Sequence, residues 1–345
     1  MLTNKETINV AVMGVGAFGR NHARVYHELS KQDESVRLVG VADPDISRAD
    51  AVAREFGCRA FGSVEQLIST HSEVQAATVA VPTTQHREVA GLLMEAGIDV
   101  LIEKPVATSV AESNELIEIS KKSGRIAQVG HLERFNPAVQ ATLPLVTKPM
   151  FFEVHRLSVF TSRSLDVDVV LDLMIHDLDV VLSLVNSPVR EIRAVGLPIL
   201  SDKVDIANVR IEFESGCVAN FTASRVSTER VRKLRFFQPR QYVSMDYARQ
   251  DVMVFSLAGE GHDFGDTSFG NPSVNPQINV VKPAVVAEEP LHAELKSFLE
   301  CVRERSKPVV SLESGRGALA LALDIVASMS VHSERTNLKH FEMAE

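Results

Sequence analysis

Short continuous apolar runs alternate with runs of helical period along the N-terminal part of the chain. Ile8 to Met13 is mostly apolar, and after a glycine-rich turn Phe18, His22, Val25 and Leu29 recur at three- and four-residue steps, so the pattern predicts a strand followed by a helix. Leu38–Ala42, Val74–Val81, Val100–Ile102 and Ile126–Val129 predict further strands. Between them lie a helix over Ser47–Phe56 stopped by Gly57, a capping box at Ser63-Val64-Glu65-Gln66, a helix from Arg87 to Ala96 stopped by Gly97, and another capped at Ser109-Val110-Ala111-Glu112. Strands alternating with helices predict an α/β domain, a doubly wound parallel sheet of Rossmann type, which binds ligands outside the carboxyl ends of its strands.

The pattern changes after about Ser123. Beyond a helix over Val169–Leu184 the chain reads mostly as strands: Met150–Phe160, Val189–Leu200, Val204–Glu214, Cys217–Ser224, Val231–Gln238 and Tyr242–Tyr247, with Glu214-Ser215-Gly216 as a hairpin turn. Residues 1–124 are therefore expected to form a nucleotide-binding Rossmann domain. Residues 125–345 are expected to form an α+β domain for substrate binding and oligomerisation, its open, mostly antiparallel sheet carrying helices on one face. The other face has apolar area to cover, and a homodimer or homotetramer through that sheet is expected. Gly259–Pro276 reads as a long loop, Glu289–Arg303 as a helix with Leu295, Phe298, Leu299 and Val302 inward, and Glu313–Met329 as a last helix.

Composition narrows the function classes. A chain of 345 residues with 45% hydrophobic residues can fill two cores, and a net charge of -9 argues against nucleic acid or an anionic membrane as partner. The N-terminus lacks a long apolar region and no apolar run approaches a membrane span, so a cytoplasmic protein is expected. Cys58, Cys217 and Cys301 form no C-x-x-C pair, which disfavours a disulfide framework or structural zinc. No metal site is expected. A zinc-dependent dehydrogenase would want cysteine ligands, although Asp172 with His176 could hold a metal weakly.

The candidate chemistry sits at predicted strand ends. Gly14-Val15-Gly16-Ala17-Phe18-Gly19 has the G-x-G-x-x-G spacing that lets a pyrophosphate approach a helix N-terminus, and Asp43, closing the next strand, lies where a carboxylate accepts hydrogen bonds from the adenosine ribose. That carboxylate favours NAD over NADP, whose 2'-phosphate it would repel. Arg48 reads as a solvated helix charge. The turn Pro82-Thr83-Thr84-Gln85-His86 and the segment Glu103-Lys104-Pro105 occupy other strand ends, and the nicotinamide is expected near them. Lys104 there can hydrogen-bond a substrate hydroxyl. In Leu171–Asp179, at roughly 100° per residue, Asp172, His176 and Asp179 fall on one stripe beside an apolar face, and a carboxylate one turn from an imidazole suits proton transfer near neutral pH. Arg225, Arg230, Arg232, Lys233, Arg235 and Arg240 form a basic cluster, which is either a solvated or subunit-contact face or, with Arg156 and Arg163, a phosphate-recognition surface.

Together the Gly14–Gly19 turn, Glu103-Lys104-Pro105, the Asp172 and His176 helix and Pro290-Leu291-x-x-Glu294-Leu295-x-x-Phe298 resemble the Gfo/Idh/MocA family over nearly the whole chain. The resemblance implies an NAD- or NADP-dependent sugar or polyol dehydrogenase with Lys104, Asp172 and His176 lining its site. Gly14, Gly16, Ala17, Phe18, Gly19, Asp43, Pro82, Thr83, His86, Glu103 and Lys104 would contact the cofactor. Within the family, Gly130–Pro137, Ser164–Asp168 and Val231–Arg235 resemble the branch that oxidises UDP-N-acetylglucosamine at C3, whose product an aminotransferase can convert to an amine for lipid A. On that resemblance Arg134, Phe135, Asn136 and Arg163 are substrate candidates. An inositol or other polyol dehydrogenase is the alternative within the family, and a non-catalytic NAD-binding sensor the alternative outside enzymes.

Overall fold

The computed structural model describes residues 7–70, 73–161, 167–257 and 278–336. The expected loop at Gly259–Pro276, the substrate candidate Arg163 and Ser164–Asp166 lie outside the described residues. The chain divides into two compact units, one running from its start to Phe135 and taking in Glu289–Leu319, the other formed by Asn136–Glu288 and the chain from Ala320 onward. A boundary at residue 124 therefore falls too early: the strand at Ala127–Gly130 belongs to the first sheet, and the chain returns to that unit after Glu288.

In the first unit, β1 (Ile8–Met13), α1 (Ala17–Gln32), β2 (Val36–Ala42), α2 (Ile46–Phe56), β3 (Arg59–Phe61), α3 (Val64–Thr70), β4 (Ala76–Val79), α4 (Thr83–Glu95), β5 (Asp99–Glu103), α5 (Val110–Ser123) and β6 (Ala127–Gly130) follow one another. The sheet is parallel in the order β3-β2-β1-β4-β5-β6, so the strand order reverses between β1 and β4. Helix ends follow their local chemistry. Ser109 Oγ accepts from the Glu112 N–H while Glu112 accepts from the Thr108 N–H, and Gly57 and Gly124 end α2 and α5 in the left-handed region at φ 71° and 64°. One helix starts earlier than its pattern suggests. Pro82 caps α4 and the helix begins at Thr83, so Pro82–His86 is the cap and first turn of a helix rather than a free turn; proline's preset φ and missing N–H cost little at that position.

In the second unit, α6 (Pro137–Thr142) and β7 (Phe151–Leu157) lead to a π-helical turn at Val170–Met174, then α7 (Ile175–Val185), β8 (Val189–Leu197), β9 (Ile206–Phe213), β10 (Val218–Ser224), β11 (Val231–Gln238), β12 (Gln241–Asp246), β13 (Asp251–Leu257) and β14 (Ile278–Val281). The eight strands run β14-β13-β12-β11-β7-β10-β9-β8, antiparallel except for β7 with β10. The last two strands were not expected from the sequence. Strict alternation buries one face, where Phe152, Val154, Val209, Ile211, Phe221, Leu234, Phe236 and Val243 are all within 1% of full burial. On the opposite face Phe151, Phe237, Tyr242 and Phe255 form a row across four strands with ring centroids 5.6, 4.8 and 5.3 Å apart.

α8 (Pro290–Glu304) returns to the first unit, with Leu295, Phe298, Leu299 and Val302 in the same core as Val10, Val12, Tyr26 and Leu38, so the inward face expected for it is the one it buries. α9 (Leu312–Thr336) starts in that unit and ends in the other. Contrary to expectation, it is long and apolar enough to cross a membrane by length and composition. Ala318, Leu319, Leu321, Ala322, Ile325 and Met329 along it are buried in the protein.

Candidate active site

The glycine turn can be read atom by atom. Gly14 has φ +79°, and a Cβ there would lie 2.7 Å from the Ala80 carbonyl oxygen; one at Gly19 would lie 1.8 Å from the Gly14 carbonyl oxygen. Both positions admit only glycine. A Cβ at Gly16 would meet nothing within 4 Å. Gly16 caps α1 with no side-chain hydrogen bond, there is no acidic residue in the first turn, and Gly16, Ala17 and Phe18 are all exposed. The helix therefore presents uncapped N–H groups beside open space, which is what a pyrophosphate requires. Phe18, on the stripe that predicted the core face, is 67% exposed and stands at this opening.

Asp43 is tied to that turn. Its Oδ2 accepts from the Val15 N–H at 2.9 Å and its Oδ1 from the Asp45 N–H at 2.9 Å, with Arg48 Nη1 3.3 Å from both oxygens. The carboxylate is therefore held at the end of β2 against the glycine turn. Arg48, expected as a solvated charge, pairs with it. Sequence spacing alone could not find that pair, although Arg48 lies five residues on, in the first turn of α2.

The other strand ends align with this turn. Met13 pairs in register with Val79, Val79 with Ile102, and Glu103 with Gly130. Thr83 opens α4 and is half-buried, Pro82 is exposed, and Lys104 is half-buried in the loop after β5, its peptide bond to Pro105 cis. Two expected cofactor contacts are instead engaged within the protein. His86 is 1% exposed, with Nδ1 2.9 Å from the Pro105 carbonyl oxygen and Nε2 3.0 Å from that of Val81; burial lowers its pKa, opposed by those carbonyls. Glu103 accepts from His22 Nε2 at 2.7 Å and from the Lys104 N–H at 3.2 Å. Burial works to raise the Glu103 pKa, but the His22 bond and the Lys104 charge outweigh it and hold the group below the ordinary carboxylate range.

In the second unit, Asp172 lies within the π-helical turn and His176 in the first turn of α7, both half-buried. The turn is closed by the Ile175 N–H reaching back to the Val170 carbonyl, one residue further than an α-helix allows. The regular stripe read from the sequence is thus broken between the two residues. Such bulges are frequent at functional sites. The neighbouring Asp177 is buried and takes Arg156 bidentately, Nε to Oδ2 at 2.6 Å and Nη2 to Oδ1 at 2.9 Å, with the guanidinium 5.2 Å from the Tyr247 ring centroid. Asp179 is 2% exposed.

Several substrate candidates are committed elsewhere. Asn136 is 2% exposed; its Oδ1 caps α6 at the Ala138 N–H and its Nδ2 donates to the Tyr247 carbonyl, both at 3.0 Å. Phe135 is 6% exposed. Packing engages Phe135, and backbone partners engage Asn136. Arg134 is half-buried in a 3₁₀ turn. The basic cluster also separates. Arg225 is buried, donating to the Val167 carbonyl beside Asp205, Arg235 pairs with Glu153 at 3.0 Å, and Arg240 occupies a hairpin turn at φ +61°. Arg156 is likewise buried and paired, which removes it as a phosphate contact. Arg232 is exposed and is the register partner of Arg156, so both extend from the face that meets α7.

An open α/β sheet with this glycine turn at its switch point defines a dinucleotide-binding enzyme class. Residues 8–131 match the oxidoreductase family with the NAD-binding Rossmann fold, and residues 147–240 match the GFO/IDH/MocA C-terminal domain. The chain is 34% identical over 330 residues to UDP-N-acetylglucosamine 3-dehydrogenase of Acidithiobacillus ferrooxidans, covering 95% of this chain and 99% of that one. It is 26% identical over 323 residues to scyllo-inositol 2-dehydrogenase (NAD(+)) of Bacillus subtilis, covering 88% and 89%. A solved structure of the Acidithiobacillus ferrooxidans enzyme superposes with a TM-score of 0.83 at 32% identity, covering 94% of this chain and 98% of that one. The chain belongs to the Gfo/Idh/MocA family of oxidoreductases.

Proposed function

We propose that this protein oxidises a sugar hydroxyl with NAD+, and that the substrate is UDP-N-acetylglucosamine, converted to its 3-keto sugar in the nucleotide-sugar metabolism that precedes lipid A. The observation that carries the substrate is the end-to-end likeness to UDP-N-acetylglucosamine 3-dehydrogenase, which spans both units. The residues suit the cofactor: the uncapped N-terminus of α1, the open space at Gly16 and the carboxylate of Asp43 fit a pyrophosphate and its ribose. Bound NAD+ supplies the hydride acceptor. His176, its acidity tuned by Asp172, takes the hydroxyl proton, and Lys104 hydrogen-bonds the oxygen as it becomes a carbonyl. The enzyme acts in the cytoplasm on a small-molecule substrate and assembles as a homodimer or homotetramer through the open sheet face, whose row of four aromatic rings offers apolar area to a second copy.

The test is absorbance at the NADH band when the purified protein and NAD+ are offered UDP-N-acetylglucosamine, then inositols and simple hexoses. Turnover of the nucleotide sugar is expected. Turnover of the polyols alone would replace this reading with an inositol-type dehydrogenase, the reading favoured by the scyllo-inositol relative. No turnover of any of them, with NADH still bound, would leave a nucleotide-binding sensor.

Cofactor choice has its own test. In Asp43→Ser the shorter side chain loses the ribose, and it also releases the Val15 N–H, so affinity for both nucleotides should fall. With Arg48 beside it and the carboxylate gone, NADPH should lose less. The ratio of NADH to NADPH dissociation constants is expected to move toward NADPH by about tenfold. An unchanged ratio would show that Asp43 serves the turn and not the ribose.

A further inference from the structure

The geometry points to His22 as a positioning residue that holds Glu103, and through it the loop bearing Lys104, against the nucleotide-binding helix. This rests on the reading of Lys104 as the group at the reacting oxygen. His22 lies on the buried face of α1, one turn beyond the glycine turn, and is 1% exposed. Its Nε2 is 2.7 Å from Glu103 Oε1, and no hydrogen-bond partner meets its Nδ1 among the described residues. Since Glu103 is an ionised acceptor, Nε2 must carry the proton.

Glu103 has little freedom besides this bond. Its carboxylate lies against Gly130, where a Cβ would come within 3.3 Å of it, and its second oxygen accepts from the Lys104 backbone. On the far side of Lys104, His86 bridges the carbonyl oxygens of Pro105 and Val81. Lys104 is therefore flanked by two buried imidazoles from different helices, α1 gripping the residue before it and α4 the residue after it. The charged and titratable groups around Glu103 are His22 from α1, Lys104 on its own loop, His86 from α4 and, beside Gly130 at the end of β6, His131. Of these, His22 meets the carboxylate by its side chain at 2.7 Å. A His on the apolar stripe of the first helix was the available sequence signal, since a polar ring among Val25 and Leu29 needs a buried partner.

The experiment compares His22→Leu, which removes the donor, with His22→Gln, whose amide can replace it. Without its donor the Glu103 carboxylate acts more strongly on the Lys104 charge it already feels, which raises the Lys104 pKa. Lys104 is read directly by carbon NMR of the reductively methylated protein, its resonance assigned by Lys104→Arg. His22→Leu is expected to lower kcat about 10- to 100-fold by misplacing the lysine, with the NADH dissociation constant within about threefold of wild type. The Lys104 midpoint should rise by about half a pH unit or more, and His22→Gln should restore both readouts. If His22→Leu does not fold, His22→Asn, too short to reach Glu103, takes its place. An unmoved Lys104 midpoint, equal damage from Leu and Gln, or a loss confined to NADH affinity would each overturn the assignment. The NMR and NADH readouts need no sugar, so they test His22 even where no substrate is turned over and the functional reading has failed.

Discussion

His176→Ala is expected to lose at least about 10²- to 10⁴-fold in kcat while binding NADH as tightly as the wild type. Oxidation of a hydroxyl requires a proton and a hydride to leave one H–C–O–H group, and hydride departure is steep only if the oxygen sheds its proton in the same transition state. An imidazole is the side chain whose ordinary pKa lies nearest neutral pH, so it can accept that proton without a costly mismatch. His176 is half-buried on a helix that begins in a π-helical turn, and it belongs to the unit that does not contain the glycine turn, so its loss leaves the nucleotide cradle intact. Stopped-flow absorbance follows the slowed hydride transfer, while a titration read by the fluorescence of NADH itself keeps its midpoint. Near wild-type turnover in His176→Ala would remove the residue from the chemistry. Asp172→Asn should fall between the two proteins in rate if the carboxylate tunes the imidazole.

What the sequence disclosed and what it hid divide by range of interaction. Gly14, Gly57 and Gly97 were legible because a left-handed backbone is a local demand, and the capping boxes at Ser63 and Ser109 because their partners lie three residues away. The inward face of α8 was legible for the same reason, since a helix stripe repeats within one element. Asp43 could be placed at the end of β2 from strand and loop lengths, but its bond to Val15 across 28 residues could not. Polar residues whose partners are distant were the hardest to place. The bond of the substrate candidate Asn136 to Tyr247, 111 residues on, and the pairing of Arg156, left open between a surface and a phosphate-recognition reading, with Asp177 have no local signal. The π-helical turn left no trace, because Val170-Leu171-Asp172-Leu173-Met174 fits an ordinary helical period equally well and only its backbone bonding differs. β13 and β14 were missed because they flank a stretch whose composition reads as loop and drew the flanks with it.

Removing one half of the Arg156 and Asp177 pair is expected to cost the second unit more than any surface substitution. Both side chains are within 4% of complete burial, so Asp177→Ala leaves a buried guanidinium that cannot lose its proton and has lost its bidentate carboxylate. Losing one partner of a buried pair costs about 3–5 kcal/mol, whereas exchanging both for apolar groups of similar volume is close to neutral. Thermal unfolding should therefore fall by roughly 10 °C or more in Asp177→Ala, on a scale of about 2–4 °C per kcal/mol for a unit of this size. The double substitution Arg156→Met with Asp177→Leu should recover most of that loss. Because Asp177 follows His176 in the chain and fixes the first turn of α7 to β7, the double variant also separates stability from positioning. It is expected to melt near the wild type yet turn over substrate more slowly, since an apolar contact sets the height of the helix above the sheet but not its rotation. Wild-type stability in Asp177→Ala would show that water reaches Arg156. Full activity in the double variant would show that packing alone orients His176.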